Sequence, residues 1–177
     1  APHLVGAAQP MFPCPCQNIG CGHVEAALLM HPGVHEAAVY SVPDERLGEE
    51  VGAAVVLRIV LTIVAANGSK APVSGTPATD TRNQGGMLGV ANPGDGWIYW
   101  SYAEPREGGN GTAVARGHLV GAEMRDVQVI FRQMPTLDSA QHYGGRLVFP
   151  KDGTLIITLG ERSILPGRMQ AQKLDSL

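Results

Sequence analysis

The hydrophobic positions change period several times along the chain, and each change predicts an element. Val24, Ala27, Leu28 and His31 fall at helical spacing, and Pro32-Gly33 halts the run, so a short helix is predicted with Glu25 in its first turn. Residues 34–42 then form an apolar run of strand length. Pro43-Asp44 reads as a turn, and residues 52–57 form a second strand with a continuous apolar face. The β-branched stretch 59–65 predicts another strand, Asn67-Gly68 a hairpin turn, and the polar residues up to Asn83 a loop. Further on, residues 97–102 follow Asp95-Gly96 and residues 112–117 follow Asn110-Gly111. Val127, Val129 and Phe131 alternate onto one face of a strand over 127–132. The clearest hairpin joins 146–149 to 154–159 through Pro150-Lys151-Asp152-Gly153. Prolines at positions 2, 10, 13 and 15 and the lack of any period predict an irregular arm over residues 1–17. A compact α/β piece over 18–58 and a β-rich segment over 59–177 follow it.

Composition sharpens the fold class. The 23 glycines and 13 prolines favour many turns and short strands, giving a mainly β protein behind a small α/β N-terminal segment. With 16% charged residues and a net charge of -3, no broad positive field exists for a nucleic-acid or anionic-membrane partner. The longest apolar stretch, around Ile59 to Ala66, is too short to cross a bilayer, so a soluble chain is expected. Trp97, Tyr99, Trp100 and Tyr102 lie along one strand, which predicts one pair facing inward and the other outward.

Candidate chemistry is sparse. Cys14, Cys16, Cys21 and His23 form a C-x-C-x4-C-x-H cluster whose thiolates and imidazole suit zinc or copper. Its spacing departs from common zinc patterns, so unpaired or packed cysteines stand as the alternative. An odd cysteine count leaves at least one thiol free or intermolecular. His31 and His35 straddle the helix-breaking Pro32-Gly33 and read as separate surface histidines. The glycine-rich NQGGMLG and EGGNGT do not connect a strand to a helix as a phosphate site requires. Ser41, Ser74, Ser101 and Ser139 stand in no nucleophile-elbow sequence.

Two resemblances add to this reading. HVEAALLMHPGVHEAAVYSVPDERLGEEVGAAVVLR resembles the C-terminal lid domain of adenylate-forming acyl-CoA synthetases, over about residues 18–58. That family's large ATP-binding domain and the lysine-bearing tail of its lid have no counterpart here, so no synthetase activity is expected. VSGTPATDTRNQGGMLGVA, IYWSYAEPREGGNGTAVARGHL, DVQVIFRQMP, QHYGGRLVFPKDGTLIITLGER and AQKLDSL are similar, in that order, to the soluble quinoprotein glucose and aldose sugar dehydrogenases. Those are six-bladed β-propellers that use pyrroloquinoline quinone (PQQ) and calcium. The resemblance implies that His142 takes the proton of the sugar C1 hydroxyl as hydride passes to the quinone, and that Gln84 hydrogen-bonds the sugar. A neutral imidazole suits proton acceptance near neutral pH. Arg146 is a further sugar-contact candidate, the alternative being a strand residue paired with Asp152 or Glu161.

A blade takes four strands and roughly 40 to 50 residues, so about 120 residues supply two to three of them. By resemblance, the calcium ligands and most quinone-gripping cations belong to later blades. An open set of blades leaves apolar faces and strand edges that another copy or a different β arrangement must cover. The expected architecture is therefore a partial propeller of antiparallel sheets completed by homo-oligomerisation. The leading expectation for function is a chimeric or truncated relative of an aldose sugar dehydrogenase, with C1 oxidation weak or lost. The alternatives are a non-enzymatic β-rich assembly protein, or a small metal-binding or hydrolytic protein. A periplasmic or secreted location follows if the dehydrogenase resemblance governs, a cytoplasmic one otherwise.

Overall fold

The computed structural model describes residues 11–12, 19–31, 34, 36–44, 48–57, 60–65 and 67–173. Two short strands, β1 (Met11–Phe12) and β2 (Ile19–Gly20), pair ahead of helix α1 (Cys21–Leu29). A four-stranded antiparallel meander follows: β3 (Glu36–Asp44), β4 (Gly48–Leu57), β5 (Val60–Ala65) and β6 (Lys70–Pro72). A second meander comprises β7 (Met87–Ala91), β8 (Ile98–Arg106), β9 (Gly109–Val120) and β10 (Glu123–Arg132). The hairpin β11 (Gly144–Val148) and β12 (Ile156–Leu159) and a short helix α2 (Leu165–Gln170) complete the described chain. In each sheet, strands consecutive in sequence are neighbours in space, so only local turns are needed to build it.

The core explains which sequence patterns were easy to read. Val55 and Val56 are both fully buried but join different clusters, Val55 beneath α1 and Val56 against the second meander. A strand covered on both faces shows an unbroken apolar run, as β4 does. Burying a valine of this kind contributes about 1.5–3 kcal/mol. Helix α1 begins at Cys21, ahead of the expected start at Val24, so Glu25 is not in its first turn. The Glu25 carboxylate instead accepts the Val39 N–H at 3.0 Å, docking the helix on β3.

The second meander lies between the other two sheets, and this corrects the expectation for its aromatic residues. Trp100 and Tyr102 pack toward the first meander, while Tyr99 packs with Val114 and Leu147 on the opposite face. All three are buried, because both faces of β8 are covered; only Trp97 is partly open. Trp97 stacks at 3.8 Å on His118, with the Arg116 guanidinium 4.3 Å from its ring. On β10, Val127, Val129 and Phe131 are half-buried between exposed neighbours, but a register shift after Val129 splits the expected single face: Val127 and Val129 pack on the Trp100 side and Phe131 on the Tyr99 side.

Two turns differ from expectation. Asn110-Gly111 lies inside β9, and Glu107-Gly108 makes the turn instead, with Gly108 at φ 78°. Asn110 is drawn inward because its side chain is fully buried in a polar network. Pro43-Asp44 ends β3 within the ladder, opposite Glu49 and Gly48, and residues 45–47 lie outside the described residues. Strand β7 and helix α2 had no distinct signal in the hydrophobic pattern. Among the described residues, no helix is long and apolar enough to cross a membrane.

Candidate functional site

His142 sits in the loop before β11, in the left-handed region at φ 47°. Such a conformation persists in a bulky residue when its surroundings hold it there. Arg162 supplies much of that hold. Its side chain is almost fully buried, lies flat at 3.8 Å over the Tyr143 ring, and donates to the Gln141 carbonyl at 3.1 Å. It also donates to the Ser139 carbonyl and to Asn110 Oδ1, so one guanidinium ties down the residues on either side of His142. Asn110 in turn donates to Asp80 at 2.7 Å, and Asp80 accepts a charged pair of bonds from Arg82. These bonds hold the Asp80 carboxyl well below the usual carboxylate range. Gly160 closes the other side. A Cβ at this position would lie 1.8 Å from the His142 carbonyl oxygen, so only glycine allows the β12 exit to pass so close.

The imidazole is oriented as well as placed. Nδ1 of His142 contacts Glu161 Oε1, while Glu161 Oε2 accepts the Ser163 N–H at 2.9 Å and faces Arg168 at 3.4 Å. The hydrogen bond to His142 is the main cause holding the Glu161 carboxyl below its ordinary value. A carboxylate on one ring nitrogen favours the proton there and leaves the other nitrogen as the acceptor. In the sequence, Glu161 stands only as a partner for Arg146. The residues GER at the end of the last hairpin were the available signal, but contact across 19 positions is decided by the fold.

Gln84 comes to the same place from a distant loop: its Oε1 accepts the His142 N–H at 2.8 Å. This arrangement leaves the Gln84 amide nitrogen for another acceptor. Arg146 goes elsewhere, pairing at 3.0 Å with Glu36 on the wall of a cavity of about 860 Å³. Asp152 and Glu161 are not its partners in any described ion pair. His142 instead lines a cleft of about 460 Å³ with Gln133, Leu137, Glu161, Arg162 and Gln170. Gln133 is nearly buried, and its Oε1 has no hydrogen-bond partner, while its amide nitrogen donates to the Gly160 carbonyl at 3.2 Å. A buried acceptor without a partner costs about 1–3 kcal/mol, and Gln133 carries that cost beside His142.

The arginines at these sites are already engaged and offer PQQ no free charge. Arg82, Arg146 and Arg168 already face Asp80, Glu36 and Glu161, and Arg162 is committed to carbonyls. Among the described residues, no three or more His, Cys, Asp or Glu side chains gather to hold a metal ion. The zinc or copper reading finds no support there. Cys14, Cys16 and His35 lie outside the described residues, Cys21 opens α1, and His23 is exposed on that helix.

Comparison with known proteins finds two families. Residues 23–70 match the family model of the AMP-binding enzyme C-terminal domain. The 3-hydroxypropionyl-coenzyme A synthetase of Metallosphaera sedula is 47% identical over 55 residues, which are 31% of this chain and 8% of that protein. The aldose sugar dehydrogenase YliI of Escherichia coli (strain K12) is 42% identical over 120 residues, covering 64% of this chain and 32% of that enzyme. The crystal structure of the soluble aldose sugar dehydrogenase from Escherichia coli in its apo form superposes with a TM-score of 0.65 at 37% identity. That superposition covers 82% of this chain and 42% of the other. The chain thus spans about a third of this curated relative and less than half of the solved one. Residues 58–177, about two thirds of the chain, match the glucose/sorbosone dehydrogenase family model, and the chain belongs to that family.

Proposed function

We propose that this chain provides the sugar-side half of an aldose dehydrogenase site, with oxidation at C1 weak or lost when the chain acts alone. The observation that carries this reading is His142, held by Glu161 on Nδ1 and by Gln84 at its backbone, on a cleft that Gln133 also lines. His142, with Glu161 on Nδ1, is built to accept the proton of a sugar hydroxyl at its other ring nitrogen. Gln84 positions the His142 backbone and offers its amide nitrogen to a sugar oxygen. Gln133 accepts from a second hydroxyl. Oxidation also requires an acceptor for the hydride, and Arg82, Arg146 and Arg168, each already facing a carboxylate, offer a quinone no free cation.

Glucose binding followed by saturation-transfer NMR tests the sugar side. Binding is expected in the parent chain and should weaken by about tenfold or more in Gln133→Leu, since an unmet hydroxyl costs about 1–3 kcal/mol. Stability should change little in that variant, because loss of the buried unmatched acceptor offsets loss of the bond to the Gly160 carbonyl. No glucose signal, or one untouched by both Gln133→Leu and His142→Ala, would refute the sugar site. Adding PQQ, calcium, glucose and an artificial electron acceptor tests the missing half. Rapid turnover by an isolated chain would overturn it.

A second reading is favoured by the outer face of the last hairpin. Val148 and Ile156 are cross-strand partners there, 45% and 49% exposed. In a propeller this face is where another blade packs, so assembly into a homo-oligomer, with or without catalysis, would cover it. The dehydrogenase kinship is compatible with a periplasmic or secreted setting for either role.

A further inference from the structure

The two family matches overlap over residues 58–70, and the fold has no boundary at this join. Strand β4 pairs residue by residue with β5 across the join, from Leu57 opposite Val60 to Gly52 opposite Ala65. Ala38, Ala54 and Val56 from before it share one cluster with Leu61 within it and with Met87, Trp100 and Tyr102 from after it. Hydrophobic and hydrogen-bonded contacts both cross the join, which is the signature of one cooperative unit.

A polar anchor reinforces it. Glu36 on β3 is held by two groups of the dehydrogenase-like segment: Arg146 Nη1 at 3.0 Å on Oε1, and the Val90 N–H at 3.3 Å on Oε2. Gly89 makes room for this carboxylate, since a Cβ there would lie 2.7 Å from Glu36 Oε2. Burial pushes the Glu36 carboxyl up, while the Arg146 charge opposes the rise. Strands β3, β7 and β11 are neighbours, and Glu36, Val90 and Arg146 line the same cavity of about 860 Å³. The first strand of each sheet therefore faces one central space, the arrangement of blades around a propeller axis.

The comparisons supply an independent sign. The Escherichia coli dehydrogenase superposes on 82% of the chain, whereas its family model accounts for only residues 58–177. Some of the superposed residues must come from before the join, where sequence similarity points to the synthetases.

We propose that the synthetase-like hairpin β3–β4 serves as the two inner strands of a propeller blade, with Glu36 anchoring it to Val90 and Arg146. The segment's job in this chain is then to cover the β7–β10 sheet, and it is not a separate lid-like module. Hydrogen exchange on the full chain tests this without depending on any sugar or quinone activity. Amides of β3 and β4 should lose protection at the same urea concentration as those of β8 and β9. Exchange of β3 and β4 within seconds while β8 and β9 stay protected would overturn the proposal. In Glu36→Gln, which keeps the shape and removes the charge, the Val90 amide should exchange about fivefold faster, as expected when a charge-assisted bond becomes neutral. An unchanged Val90 rate would overturn the anchoring role of Glu36.

Discussion

Replacing Arg162 with methionine should destabilise the fold and loosen the loop that presents His142. The substitution removes the donors to the Gln141 and Ser139 carbonyls and to Asn110 Oδ1, and the stacking on Tyr143 at 3.8 Å. Three acceptors lose a donor at about 1 kcal/mol each, the Ser139 carbonyl keeping only the Tyr143 hydroxyl at 3.3 Å, and the stacked cation contributes roughly 1 kcal/mol more. Against this, the variant no longer desolvates a guanidinium, and burial already works against the charged form at this site. The balance is a loss of about 3 kcal/mol, which at a urea dependence of about 2 kcal/mol per molar lowers the unfolding midpoint by roughly 1.5 M. Chemical denaturation followed by tryptophan fluorescence reads the midpoint, and hydrogen exchange of residues 141–144 reads the loop. A midpoint shift below about 0.5 M, with unchanged exchange in that loop, would refute the reasoning, because desolvation would then have cancelled the whole network.

Two further outcomes follow from the structure. The Asp80 carboxyl titrates below its unfolded value, so its contribution to stability is complete above about pH 4 and is lost as pH falls toward the folded value. The parent chain should therefore lose more stability than Asp80→Asn between about pH 4 and pH 2 in urea titrations, and parallel losses would count against the Asp80–Arg82–Asn110 network. If copies associate through Val148 and Ile156, then Ile156→Lys should lower the mass measured by sedimentation while leaving the unfolding midpoint almost unchanged. A parent chain that sediments as a monomer at all concentrations would remove the oligomer proposal.

Two family models match different stretches of this chain, and both include residues 58–70. Strands β4 and β5 pair continuously at that overlap. Backbone ladder bonds do not depend on side-chain identity, so a hairpin of the right length and apolar pattern can join the neighbouring strands.

Much was legible in advance. The short helix, the β-rich character, the final hairpin and the alternating burial on β10 all followed from local periodicity and turn residues, which act over a few positions. His142 and Gln84 were marked by resemblance. What they touch was not: Glu161 reaches His142 across 19 positions, Gln84 reaches it across 58, and Glu36 reaches Arg146 across 110. No local pattern encodes such pairings. They exist because three sheets pack against one another, bury Trp100, Tyr99 and Arg162 from both sides, and leave a particular set of loops in contact at their edges. The residues alone determined which elements could form. Close packing of those elements decided which side chains meet, since only the folded arrangement sets the distances on which hydrogen bonds and ion pairs depend.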